Sequence, residues 1–113
     1  MLPIVNRSAF IVRPREPYMQ WAASLEPGPD KVSETLSDHV SVYLAPQDET
    51  GEKETPPLED YFGEIFEEEL EAWCLDESQW PQLRDFKTFQ KWFEVSGQSL
   101  ITDLGDEPIY AEE

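Results

Sequence analysis

Three side chains stand out as able to do chemistry: Cys74 and His39, the only thiol and the only imidazole in the chain, and Glu69, one of its 25 acids. Leu58, Tyr61, Phe62, Ile65, Phe66, Leu70 and Trp73 fall at offsets 0, 3, 4, 7, 8, 12 and 15, one apolar stripe at the helical period. Glu69, at offset 11, lands inside that stripe. An inward carboxylate needs a cationic partner, an unusual hold on its proton, or a place where the stripe reaches solvent. Used as an acid in an enzyme or metal site, it would work with His39, Arg7, Arg13 or Arg84.

Nucleophilic catalysis requires a nucleophile, a base and an orienting group. Cys74 sits in EAWCLDE and His39 in SDHVSV, and neither segment carries a catalytic signature. No catalytic residue is therefore assigned. The loop QDETGEKETPP lacks the alternating oxygen ligands and terminal glutamate of a calcium loop, and His39 is not in a Glu-x-x-His motif. With one cysteine there is no Cys-based zinc cluster and no internal disulfide. The five glycines are scattered and cradle no phosphate, so neither a metal nor a cofactor is expected.

Two helices within residues 56–95 must position these groups. Pro56 and Pro57 open an acidic helix running to about residue 75, with Glu59 and Asp60 at the positive end of its dipole. Asp60, Glu64, Glu67, Glu68 and Glu71 form its outer face, where like charges at i, i+4 repel. Pro81 biases Trp80 into a corner. Asp85 caps a more basic helix with Phe86, Phe89 and Phe93 as its stripe and Gly97 as its stop. Trp80 either plugs the corner or anchors a partner.

Residues 4–13 read as a strand in which Ala9-Phe10-Ile11-Val12 is apolar on both faces, as at a sheet centre. Pro17 opens a short helix with Tyr18, Trp21, Ala22 and Leu25, ended by EPGP. Ser33 could cap a single turn to Leu36. Val40, Val42 and Leu44 alternate with Ser41, Tyr43 and Ala45 in a second strand; 46–57 is a mobile surface loop, 99–104 a third strand, and 106–113 a frayed acidic tail. The order β-α-β-α-α-β predicts one α+β domain over 1–113, with three main helices on a small mixed or antiparallel three-stranded sheet. SAFIVRP and VSVYLAP look alike but are too short to mark a duplication.

Acids outnumber Lys and Arg by 25 to 8, for a net charge of −17, which disfavours phosphate backbones and anionic membranes and favours a basic partner. No stretch approaches 18 apolar residues and no leader pattern is present, so a cytoplasmic location is expected. The expected function is that of a non-enzymatic interaction module presenting Asp60, Glu64, Glu67, Glu68 and Glu71, with Trp80, to a basic protein surface. A mimic of DNA charge that inhibits a DNA-binding protein is one alternative, and an enzyme or metal protein built on Glu69 another. Composition leaves oligomeric state open.

The segments VNRSAFIVRPREPYMQW and EIFEEELEAWCLDESQWPQLRDFKTFQKWF are similar to a group of short acidic uncharacterised bacterial proteins. The resemblance covers most of the chain outside the middle loop. It implies a self-standing bacterial domain and brings no activity, ligand or site residue with it.

Overall fold

Because both faces of Ala9-Phe10-Ile11-Val12 are apolar, the strand that holds them needs cover on each side, and it lies at the centre of the sheet. The computed structural model describes residues 2–26, 28–36, 38–48, 50, 53 and 55–112. Strand β1 (Arg7–Pro14) pairs antiparallel with β2 (Ser41–Pro46) on one side and β3 (Phe93–Gln98) on the other. Between β1 and β2 run helices α1 (Glu16–Ala23) and α2 (Pro29–Leu36); between β2 and β3 run α3 (Phe62–Trp73) and α4 (Phe86–Trp92). The architecture is α+β with an antiparallel three-stranded sheet.

One sheet face is set by Ser8, Phe10 and Val12, all buried, with Ala45, Tyr43 and Ser41 opposite them on β2 and Gly97 and Val95 opposite Phe10 and Val12 on β3. Helix α3 lays Ile65, Phe66 and Leu70 into the core on this side. Each such side chain contributes about 1.5–3 kcal/mol, against about 0.2–0.5 kcal/mol for each repelling acid pair on the helix back. Burial wins easily. Phe66 packs on Phe89, Trp92 and Phe93 with ring centroids 5.7, 5.7 and 5.6 Å away.

Three expectations are corrected. The acidic helix is interrupted: 58–60 form a 3₁₀ turn, and α3 starts only after Tyr61. Asp60 therefore leaves the helix repeat, and the repelling pairs on α3 are Glu64/Glu68 and Glu67/Glu71. Secondly, the single turn expected from Ser33 to Leu36 is the end of a longer helix, because α2 begins four residues earlier, at Pro29, after Gly28 turns the chain at φ 104°. Thirdly, the last strand is 93–98 and not 99–104. Phe93 fits both the helical stripe 86, 89, 93 and the inward strand set 93, 95, 97, and the extended state prevails there, directly after α4. Gly97 is thus no helix stop. It lies in β3 where an added Cβ would come within 2.8 Å of Thr55 Cγ2, so the loop before α3 can rest on the sheet. Residues beyond Gln98 meet the N-terminal segment, through an Ile4–Thr102 bridge and Val5 N–H donating to Ile101 O at 2.9 Å.

Indole N–H groups tie these layers together. Trp21 donates to Gln79 O at 2.9 Å, Trp73 to Ala22 O at 3.2 Å, and Trp80 to Cys74 O at 2.8 Å. The expected loop 46–57 falls partly outside the described residues. Among the described residues no helix is long and apolar enough to cross a membrane.

Candidate functional site

The helical period directs Glu69 inward, and it is 3% exposed. Among the described residues no arginine or lysine is within ion-pair distance of it. Strand β2 supplies its partners: Ser41 Oγ donates to Glu69 Oε2 at 2.9 Å and Tyr43 Oη donates to the same oxygen at 2.7 Å. The α1 side chain Tyr18 donates its hydroxyl to the backbone carbonyl of Glu69 at 2.5 Å. His39 Nε2 lies 3.0 Å from Ser41 Oγ and 3.6 Å from Glu69 Oε1, an oxygen with no hydrogen-bond partner among the described residues. A serine hydroxyl has one proton, and with that proton on Glu69 the tautomer that completes the chain is the one with hydrogen on His39 Nε2. The chain of donors runs His39 to Ser41 to Glu69, with Tyr43 joining at the end.

A serine, an imidazole and a carboxylate within reach of one another resemble a hydrolytic triad in residue type only. In such a triad the imidazole accepts the serine proton on one nitrogen and donates to the acid from the other. Here Nε2 faces both partners, and Ser41 donates to the acid. The hydroxyl is a structural donor, not an activated nucleophile. What the cluster does is fasten β2 to the inner side of α3.

Its electrostatics support that role. Burial, followed by the hydrogen bond to Glu69 and the charge of that carboxylate, pushes the Tyr43 phenol far above its ordinary range; burial and then Glu69 do the same to Tyr18. Unfolded tyrosine loses its proton near pH 10. Since native Tyr18 and Tyr43 hold theirs to higher pH, the unfolded state binds fewer protons above that point, and stability present below about pH 10 is lost as pH rises further. Urea midpoints measured across this range should fall steeply, and Tyr43→Phe should flatten the fall.

Of the other groups set beside Glu69, only His39 converges on it. Arg7 donates to Asn6 O at 2.9 Å, and the Arg84 guanidinium carbon sits 5.8 Å from the centre of the Trp80 ring. Arg13 shares with His39, Asp38 and Glu94 a cleft of about 370 Å³ to which neither Glu69 nor Ser41 contributes. Cys74 lies elsewhere, beside Ser24, Leu25, Glu26 and Gln79, with its thiol 3.7 Å from Asp76 O. The thiol and the imidazole line different clefts. Among the described residues no group of three or more His, Cys, Asp or Glu is arranged to hold a metal ion.

Asp60, Glu64, Glu67, Glu68 and Glu71 are all exposed, and no basic side chain among the described residues pairs with any of them. Trp80 is 8% exposed and fills the corner as a plug, its ring closed off from solvent. A second feature was not legible in the spacing of the acids. Glu64 and Glu68, one turn apart, line a cleft of about 130 Å³ together with Phe10, Tyr43, Tyr61 and Ile65 and with Leu44 and Ala45 of β2. Small-molecule pockets run to roughly 300–1,000 Å³. This one has the size of a single long side chain.

No known protein family, no curated protein and no solved structure matches the chain.

Proposed function

We propose that the protein is a non-enzymatic interaction module that presents the outer face of α3 to a basic protein surface. The observation that carries this reading is that Glu64 and Glu68 line one cleft with Phe10, Tyr43 and Tyr61 while both remain unpaired with any cation among the described residues. A lysine or arginine entering the cleft lays its aliphatic stem on Tyr43, Tyr61 and Ile65 and brings its charge to the two carboxylates. Asp60, Glu67 and Glu71 extend the negative field around that point and speed encounter with a basic partner more than they tighten the complex. Trp80, being buried, acts from beneath by holding the corner.

Retention on immobilised polylysine over a salt gradient tests the reading. Glu64→Gln/Glu68→Gln/Glu71→Gln should elute at clearly lower salt than Asp106→Asn/Glu107→Gln/Glu112→Gln, which removes the same charge from the C-terminal segment. Equal elution of the two variants would mean that net charge alone governs binding and would refute a specific face. The α3 variant should also be slightly more stable, by a few tenths of a kcal/mol, because it relieves repulsion between Glu64 and Glu68 and between Glu67 and Glu71.

A further inference from the structure

Strand β2 is the outer strand on its side of the sheet, since the order is β2-β1-β3, and among the described residues one of its edges has no strand partner. Side chains alternate across a strand, so a cavity lying on one face would meet every second residue. The cleft beneath Glu64 and Glu68 meets Tyr43, Leu44 and Ala45 in succession. Phe10 of β1 lines it as well, so it lies on the α3 face of the sheet and reaches across β2 to Leu44, beside the edge that β1 does not occupy. The two faces flanking this edge differ sharply. On the α3 side are Tyr43, Glu64 and Glu68; on the opposite side are Val42 and Leu44, 61% and 52% exposed.

We infer that the occupant of this edge is an extended peptide segment of a partner protein that adds a fourth strand beside β2, with lysine or arginine at alternate positions and aliphatic residues between them. The inference rests on the acidic-face reading and gives it a binding mode. Main-chain hydrogen bonds to the unpaired edge supply affinity, and alternate side chains supply selectivity. The basic set turns toward Glu64 and Glu68, and the aliphatic set covers Val42 and Leu44. A second copy of this chain is a poor occupant, because pairing β2 with itself would bring two sets of carboxylates together on a molecule that already carries a net charge of −17.

The test uses the full chain and a short acetylated, amidated peptide alternating lysine and valine. It should bind, slow amide hydrogen exchange within 41–46, and bind about ten-fold or more weakly once every backbone nitrogen is methylated, because the methylated form keeps its charge but cannot extend a sheet. Equal binding of the two peptides, with no protection in β2, would overturn the strand mode and leave the acidic face standing on the polylysine result. Failure of the unmethylated peptide to bind would also overturn it. Sedimentation of the free protein as a dimer with β2 already protected would name a second copy as the occupant and overturn it as well.

Discussion

Phe66→Ala is expected to lower unfolding free energy by about 3–5 kcal/mol, the range for truncating a buried aromatic ring. Phe66 is fully buried and touches Phe89 and Trp92 of α4 and Phe93 at the start of β3, so its ring joins three elements. Loss of the ring leaves a cavity that those neighbours, themselves held by further aromatic contacts, cannot close. Against a total of about 5–15 kcal/mol for an ordinary domain, that is a third or more of the stability. Urea denaturation would measure it, and a loss under about 1 kcal/mol would show that α3 is not seated as described. Glu67→Ala, at the next residue but on the solvent side of α3, should change stability by no more than about 0.5 kcal/mol.

The second large effect concerns Glu69. Glu69→Leu removes the acceptor shared by Ser41 and Tyr43 and leaves two partly buried hydroxyls without it, each costing about 1–3 kcal/mol. A total loss of about 2–6 kcal/mol is expected. The same principle makes the compensated variant informative. Replacing acceptor and donors together, as Glu69→Leu/Ser41→Ala/Tyr43→Phe, removes the orphaned groups and should recover most of that loss. Stability of the triple variant no better than that of Glu69→Leu alone would show that the carboxylate is held by something other than β2. Glu69→Gln, which keeps a carbonyl acceptor for Tyr43, should fall between the native protein and Glu69→Leu.

Where a residue's fate depends on its own helix, it could be read in advance. The stripe Ile65, Phe66, Leu70 and the inward turn of Glu69 follow from the helical period, and the central place of β1 follows from Ala9-Phe10-Ile11-Val12 being apolar on both sides. Partnership could not be read the same way. Glu69, expected to meet an arginine, a lysine or a histidine, has His39 at 3.6 Å and also the hydroxyls of Ser41 and Tyr43, which could not be foreseen because the register that sets Tyr43 opposite Phe10 and Ser41 opposite Val12 is a long-range fact. That register also decides which half of β2 faces inward. Val42 and Leu44, the more apolar set with Val40, lie outside while Ser41 and Tyr43 lie inside to satisfy Glu69; a one-residue slip would reverse every one of them. Phe93 illustrates a second limit, since a position that satisfies two periods at once cannot announce which it will obey. The cleft under Glu64 and Glu68 needed both β2 and α3 in place, and it has no counterpart in the spacing of either segment.

Two double variants of equal charge separate a placed pair of carboxylates from a diffuse acidic field. Glu64→Gln/Glu68→Gln neutralises the residues that border the cleft, and Glu67→Gln/Glu71→Gln neutralises two that do not. Titrating each with the lysine-valine peptide at moderate salt, the cleft variant should lose about ten-fold in affinity and the other about two-fold or less. Equal losses from the two variants would contradict the account.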